Sequence, residues 1–324
     1  MNAGLALAGL IVGVVVGLTG MGGGALMTPI LVLVFNIQPL AAVSSDLVAS
    51  FFMKPVGAVV HIRRGTVNWK LVQWLSIGSV PSAFAGVFVL RLLGKADLQG
   101  VVKSALGYAL LVAAAGLMIK TYITLRERVR RRSLELPADA TRRPAVQVRV
   151  LPTVLVGVVG GLVVGMTSVG SGSLIIIALL VLYPVLQANQ LVGTDLVQAV
   201  PLVAAAAAGH LLYGDFQLGV TASLLVGCIP GVYLGARLSA QAPGGLVRRA
   251  LALVLLSSGL KLVGLSTTAL AWVLICFAVL GSLGWMQVRR SHGLPPLARL
   301  EGRKSRSAAG RGPAEEALTG VDGE

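Results

Sequence analysis

Charged residues are scarce in this sequence. They make up 12% of its 324 residues, whereas a soluble domain carries roughly 25%. Cysteine is scarcer still: Cys228 and Cys276 are too few for a disulfide framework, and both lie in apolar segments, so we expect both to be small core residues. There is no metal-ligand spacing of Cys and His, no nucleophile paired with a base and no Walker-type phosphate motif. The sequence therefore predicts no enzyme, no cofactor and no metal site.

Long apolar runs dominate instead. Hydrophobic residues make up 56% of the chain, and runs of about 18 to 25 residues, long enough to cross a bilayer, recur along it. No strand-like alternation recurs, which argues against a β-barrel. We expect apolar helices at about 3–19, 22–36, 43–62, 67–92, 99–124, 151–167, 170–184, 191–212, 216–239, 246–264 and 268–288. This pattern predicts a polytopic α-helical membrane protein.

The net charge of +15 is concentrated in two segments. Eight basic residues lie between Arg126 and Arg149, and seven more lie after Val288. By the positive-inside rule both segments belong in the cytoplasm of a cell-membrane protein, where they can contact anionic lipid headgroups. We expect no nucleic-acid partner. The tail, residues 289–324, has the composition of a disordered segment.

The two halves of the chain resemble each other. "GLTGMGGGAL" at 17–26 aligns with "GMTSVGSGSL" at 165–174, and "SDLV" at 45–48 aligns with "TDLV" at 194–197. An internal repeat in a membrane protein is typical of transporters whose site lies between the repeats. We expect repeats at 1–125 and 150–265, a basic linker at 126–149, an extra transmembrane helix at 266–288 and the tail.

Two topologies fit the glycine clusters. If each cluster only kinks a long span, each repeat crosses four times and the repeats are parallel. If each cluster is the tip of a hairpin, each repeat crosses three times and the repeats are inverted. The hairpin topology puts linker, tail and "HIRRG" (61–65) inside, which the positive-inside rule favours. The expected fold is all-α: two inverted repeats, each a Gly-broken helical hairpin followed by three transmembrane helices, plus one C-terminal span, with the N-terminus outside.

Two acidic residues of the membrane body are repeat counterparts, Asp46 and Asp195. A carboxylate at a helix centre is expensive in a membrane, so one hypothesis gives the pair a role in proton coupling or gating. The alternative is that each lies near the start of a helix, where the helix dipole favours negative charge. Both interpretations stay open at this point.

Three other polar residues are candidates for coupling or gating. His61 and His210 are repeat counterparts that end their helices, where each either caps free carbonyls or acts as a pH sensor or proton relay. Lys54 lies mid-helix, and its counterpart is Val203. It snorkels, pairs with Asp46 or offers positive charge to an anion.

The sequence resembles the sulfite exporter TauE/SafE family of membrane transporters. The resemblance rests on the two aligned glycine-rich stretches and on "GSVPSAFAG" (78–86) and "GCIPGVYLG" (227–235). It covers about residues 3–265, and it implies a transporter of small sulfur-containing anions such as sulfite or organosulfonates. The second repeat departs from the pattern, since Ser168, Ser171 and Ser173 stand where the first has Gly20, Gly23 and Ala25.

The residues themselves fit an anionic cargo. A helix that starts after each glycine cluster has free N–H groups, and bare glycine backbone lets an anion approach them. The candidate substrate ligands are Thr19, Gly20, Gly22, Gly23, Gly24, Thr167, Ser168, Gly170, Ser171, Gly172 and Ser173. The alternative is that these small residues only allow close helix packing.

The expected function is alternating-access transport of such an anion around a midplane site between the repeats. Export driven by proton influx is the expected mechanism, with Asp46 and Asp195 as candidate proton carriers. The alternatives are transport of another small organic anion or ion and, less in keeping with repeated glycine breaks, a non-transporting membrane scaffold.

Overall fold

The computed structural model describes residues 2–19, 23–93, 97–133, 147–184, 186, 188–238 and 244–277. Every regular element in this part of the chain is a helix. Ten helices form two sets of five: α1 Ala3–Thr19, α2 Gly24–Leu33, α3 Pro39–Arg63, α4 Trp69–Leu93 and α5 Leu98–Ser133, then α6 Val150–Thr167, α7 Leu174–Leu182, α8 Ala188–Tyr213, α9 Leu218–Leu238 and α10 Gly244–Leu262. An eleventh, α11, covers Thr267–Phe277.

Each expected apolar segment corresponds to one of these helices, although several of their ends differ. α3 begins at Pro39 rather than near 43, because proline suits the first turn of a helix, where its missing N–H has no partner to lose. α5 continues to Ser133, into the segment expected to be the linker. The rest of that segment up to residue 146, the tail and residues 278–288 of the expected last span lie outside the described residues.

Six helices in the described part of the chain are long and apolar enough to cross a membrane. They are α3, α4, the Leu98–Ile119 part of α5, α6, the Gln190–Tyr213 part of α8 and the Leu218–Gly235 part of α9. Many large apolar side chains on the outside of the helices, such as Leu92, Leu151 and Val181, are exposed. In a soluble protein so many would be unfavourable, whereas lipid covers them here. The chain is a multi-pass membrane protein.

Close helix pairs join the two sets of five. α1 packs on α9, and α4 packs on α6. Glycine makes both contacts possible: a Cβ on Gly13 would lie 2.7 Å from the carbonyl oxygen of Cys228, and one on Gly86 would lie 2.8 Å from the carbonyl carbon of Gly165. Such distances are too short for any larger residue, so these backbones touch directly.

The pattern of contacts between helices stays the same when each helix is replaced by its counterpart in the other set of five. If α1 becomes α6 and α9 becomes α4, the α1/α9 contact becomes the α6/α4 contact. The counterparts α3 and α8 also pack on each other, as do α5 and α10. The backbone at Gly57, late in α3, faces Leu196, early in α8. Ser44, early in α3, bonds to His210, late in α8. α3 and α8 therefore run antiparallel.

The two cysteines have different surroundings. Cys228 is buried in α9, against Gly9 and Gly13 of α1. Cys276, on α11, is exposed, so the expectation of a core residue is wrong for it. α11 belongs to a separate unit that begins at Thr267.

Candidate functional site

The break between α6 and α7 is built from small residues with unusual backbone angles. Ser168 has a φ of 59°, and its N–H donates to the carbonyl of Val164 over 2.7 Å, which ends α6. Gly170 and Gly172 have φ angles of +131° and +99°. Glycine adopts such angles without steric penalty because it has no Cβ. The serine at 168 is the exception, and a contact of its side chain accounts for it.

The break between α1 and α2 lies against the second break. α1 ends at Thr19, and α2 begins at Gly24. A Cβ on Gly24 would overlap the backbone of Ser168, so Gly24 has the close-packing role. Gly23, by contrast, is not crowded. The predicted ligands Gly20 and Gly22 lie outside the described residues.

Asp46 joins the two breaks. Its side chain is fully buried. Its Oδ2 accepts one hydrogen bond from Thr28 Oγ1 of α2 over 2.9 Å and another from Ser168 Oγ over 2.6 Å. A buried carboxylate is strongly stabilised by such donors. The bond to Asp46 accounts for a serine, rather than a glycine, in the left-handed conformation at 168.

Lys54 reaches the same break. It is two turns after Asp46 on α3, and only 6% of its surface is exposed. Its ammonium donates to Ser171 Oγ, and its charge interacts with the carboxylates of Asp195 and Asp46. The side chain ends inside the protein, so the snorkelling interpretation is wrong. Pairing with the carboxylates and an offer of charge to an anion both remain compatible with this position.

The helix-start interpretation of the two aspartates is also wrong. α3 begins at Pro39 and α8 at Ala188, and neither helix has an acidic residue in its first turn. Asp46 and Asp195 therefore lie about two turns inside their helices, and both are buried. The helix dipole falls off within the first turn, so it does not stabilise them.

Three predicted hydroxyl ligands have other surroundings. Thr19 donates to Val15 O over 2.8 Å, and Thr167 donates to Val163 O over 2.6 Å, so both bond to their own helices. Ser173 is buried just before α7, and its hydroxyl has no hydrogen-bond partner within the described part of the chain. Of the predicted hydroxyls, those of Ser168 and Ser171 meet the charged residues of α3.

The two histidines differ although they are repeat counterparts. His210 is fully buried. Its Nε2 lies 2.6 Å from Gly165 O and its Nδ1 lies 2.8 Å from Ser44 Oγ. A carbonyl only accepts, so Nε2 carries the proton. His210 thus caps a free carbonyl at the end of α6 and not of its own helix. His61 is half-buried, and its Nδ1 lies 2.9 Å from Thr66 Oγ1.

Sequence reasoning missed Thr28, Ser44 and Ser50. Thr28 bonds to Asp46, and Ser44 bonds to His210. Ser50 is buried one turn after Asp46 and one turn before Lys54. The spacing of four residues from Asp46 to Ser50 and on to Lys54 puts all three on one face of α3. That spacing is the signal that would have found Ser50.

Comparisons with known proteins agree with this architecture. The family model "Sulfite exporter TauE/SafE" matches residues 5–262. The probable membrane transporter protein YjnA of Bacillus subtilis is 40% identical over 265 residues, which cover 81% of this chain and 100% of that protein. The probable membrane transporter protein YdhB of the same organism is 26% identical over 257 residues, covering 78% and 96%. No solved structure matches the chain. The chain belongs to the TauE/SafE sulfite exporter family of membrane transporters.

Proposed function

We propose that this transporter moves small sulfur-containing anions, such as sulfite or organosulfonates, as an exporter or permease of the cell membrane. The description of the family model names sulfite export, and the two relatives named above are described only as probable membrane transporters. The substrate class is therefore argued from the site.

The observation that carries the proposal is the buried ammonium of Lys54 at the junction of the two breaks. Moving a lysine to the centre of a membrane helix costs about 2.5 to 3.5 kcal/mol on insertion scales. Its contact with Ser171 puts a cation beside hydroxyl groups and a run of small residues. A sulfite or sulfonate group needs a positive charge together with several hydrogen-bond donors around its oxygens. The junction offers both.

The proposed site residues fall into two groups. Ser168 and Ser171, with Gly170 and Gly172 between the helices, form the second-repeat side. Lys54 and Gly23 form the first-repeat side, which we extend to Gly20 and Gly22, and Gly24 packs this side against Ser168. The N–H groups of Leu174 and Ile175 at the start of α7 already donate to Gly170 O, so we propose backbone donors for an anion only at the start of α2.

We further propose that the two sets of five helices are inverted repeats. The antiparallel packing of the counterparts α3 and α8 supports this, and so does the exchange of contacts between α1/α9 and α4/α6. α2 and α7, with 10 and 9 residues, are too short to cross a bilayer. In the proposed topology each returns from its break to the side where its hairpin started.

The orientation follows from charge. In this topology the basic segment 126–149 and the tail lie in the cytoplasm, and the N-terminus lies outside. Rocking of the repeats around the junction would expose it to each side in turn. His61 and His210 lie at opposite ends of the α3/α8 pair, where such movement would change their contacts, so we retain them as gating candidates.

Transport by the purified protein in vesicles tests the substrate class. Proteoliposomes loaded with radiolabelled sulfite, thiosulfate or methanesulfonate are expected to release label faster than protein-free vesicles, and an excess of any of the three outside should exchange with it. Lactate and succinate serve as sulfur-free controls. Release of the sulfur-free acids alone would indicate that the substrate is another small organic anion. If neither group of anions were released, transport of small anions would be refuted.

A further inference from the structure

A space beside Gly23 is lined by two buried oxygen atoms. The point where a Cβ of Gly23 would stand lies 3.7 Å from Asp46 Oδ1, 3.5 Å from Ser50 Oγ and 3.6 Å from Met53 Cε. These are ordinary contact distances, so a methyl group attached at Gly23 would fit beside the two oxygens. Because glycine occupies position 23, the protein puts no atom of its own side chain there.

Both oxygens lack a hydrogen bond of normal geometry within the described part of the chain. Asp46 is fully buried, and Ser50 is 2% exposed. The hydroxyl of Ser50 is close enough to interact with the carboxylate of Asp46. Buried polar atoms are almost always paired, and a water molecule needs two or more polar partners to occupy a buried site. A buried carboxylate oxygen and a buried hydroxyl that lie close together without such a bond therefore indicate a partner still to be bound.

The two oxygens of Asp46 thus have different roles. Oδ2 is held by Thr28 and Ser168, which fixes the carboxylate in place. Oδ1 faces the space at Gly23. The other charged or titratable groups around Asp46 are Lys54 on the same helix, Asp195 on α8 and Cys228 on α9.

We propose that Asp46 Oδ1, Ser50 Oγ and the backbone at Gly23 form the binding site of a coupling proton, and that this proton moves in the same direction as the anion. A hydronium ion that reaches the site transfers its proton to Oδ1 and leaves as water, and the new O–H group donates to Ser50 Oγ. This inference rests on the proposed anion site at Lys54.

The direction follows from charge. An ionised Asp46 competes with an incoming anion for the positive charge of Lys54. Protonation removes that negative charge, so proton and anion bind most tightly together, and each raises the affinity for the other. Two ligands that favour the same state cross together. The proposed co-transport therefore differs from the sequence-based expectation, in which proton influx drives export. Such an exchange requires that proton and anion exclude each other from the site.

Transport of methanesulfonate into proteoliposomes shows whether proton and anion move in the same direction, through the sign of the pH change in the lumen. Its anion carries no exchangeable proton near neutral pH, so any pH change inside the vesicle comes from the transporter. With methanesulfonate added outside and a pH-sensitive dye trapped inside, the lumen is expected to become acidic. An alkaline change would show exchange of proton against anion, and anion uptake with no pH change would show uncoupled transport. Either result overturns the proposal.

The variant Ser50→Ala tests the site itself. It is expected to lower the ratio of protons to anions moved, because the protonated carboxyl of Asp46 loses the oxygen that accepts from its O–H group. Ser76→Ala is the matched control, because Ser76 on α4 also has a buried hydroxyl without a hydrogen-bond partner in the described residues and has no contact with Asp46 among the hydrogen bonds found. A wild-type ratio in Ser50→Ala would contradict the proposal.

Proton binding can be measured without any substrate. Infrared difference spectra of the purified protein between high and low pH should contain a protonated-carboxyl band that disappears in Asp46→Asn. The band should shift in Ser50→Ala and in Gly23→Ala, whose added methyl group fills the space. A band that is absent from the wild type, or unaffected by both changes, refutes the proton site even where anion transport is intact. If the band behaves as expected but no anion moves, the transport proposal alone fails.

Discussion

The two repeats share a helix order but not a set of polar groups. Asp46 and Asp195 are counterparts and both are buried. Around Asp46, α3 carries Ser50 and Lys54, whereas α8 has Ala199 and Val203 at the corresponding positions. The first repeat therefore supplies the charges on a continuous helix, and the second repeat supplies hydroxyls on its break, through Ser168 and Ser171.

This division has a physical reason. A second lysine at position 203 would bring two buried ammonium groups to one junction, where their repulsion would be poorly screened. The features that both repeats retain are those that hold the backbones together, such as the counterparts Gly13 in the α1/α9 contact and Gly161 in the α4/α6 contact. Packing is conserved between the halves of the molecule, while the chemistry of the junction is divided between them.

Exchange of Lys54 for a neutral side chain should have the largest effect. Lys54→Met is expected to lower anion transport by at least about 100-fold, since removal of one partner of a buried charge pair costs about 3 to 5 kcal/mol. Val203→Ile, at the counterpart position, should retain transport within a few-fold of wild type. Flux in proteoliposomes at equal protein content measures both. Equal flux in the two variants would mean that the unequal charge of the repeats has no part in binding the anion.

A methyl group at Gly24 should force the two breaks apart. Gly24→Ala is expected to lower the free energy of unfolding by about 1 to 3 kcal/mol, the usual cost of overpacking, because its Cβ would overlap the backbone of Ser168. Gly57→Ala is the control, since a Cβ there would lie 3.7 Å from Leu196, an ordinary contact. Thermal unfolding in detergent, monitored by size-exclusion chromatography, compares the stability of the two variants. Equal stability would indicate that the breaks separate without strain.

The helices could be predicted from sequence because apolar length alone reports a membrane helix. The start of α3 was placed too late, since Gln38, Pro39 and the alanines that follow are less apolar than the rest of that helix. With a start near residue 43, Asp46 is expected in the first turn of the helix, and the helix-dipole interpretation depends on that position. Boundaries of this kind depend on the local backbone, which hydropathy does not describe.

The contacts of the site could be predicted only in outline. The repeats indicated that two breaks would meet, but Ser168 and Asp46 are 122 residues apart, and no spacing rule links them. His210 likewise bonds to Gly165, 45 residues earlier and on another helix. Such partners are set by the packing of helices from both repeats, so they become visible only in three dimensions.

The two ends of the α3/α8 pair should respond differently to loss of histidine. His210→Ala leaves Gly165 O and Ser44 Oγ without the imidazole, and a buried group without its partner costs about 1 to 3 kcal/mol. His61→Ala should cost less than about 1 kcal/mol, because His61 is half-buried and water can replace it at Thr66. Thermal unfolding of both variants under the same conditions measures the difference. A greater loss in His61→Ala would reverse the assignment of the tighter end.

Two substitutions at Ser168 separate the contributions of backbone and side chain, and their difference should be the smallest effect. Ser168→Ala loses the hydrogen bond to Asp46 and keeps a Cβ at a φ of 59°. Ser168→Gly loses the same bond and removes the Cβ, whose strain in the left-handed conformation is about 1 kcal/mol. The glycine variant is therefore expected to be more stable than the alanine variant by about that amount, although both are less stable than wild type. Glycine occupies the counterpart position 20 of the first repeat. If the glycine variant were as stable as wild type, the bond to Asp46 would add nothing to stability. Serine at 168 would then serve transport alone.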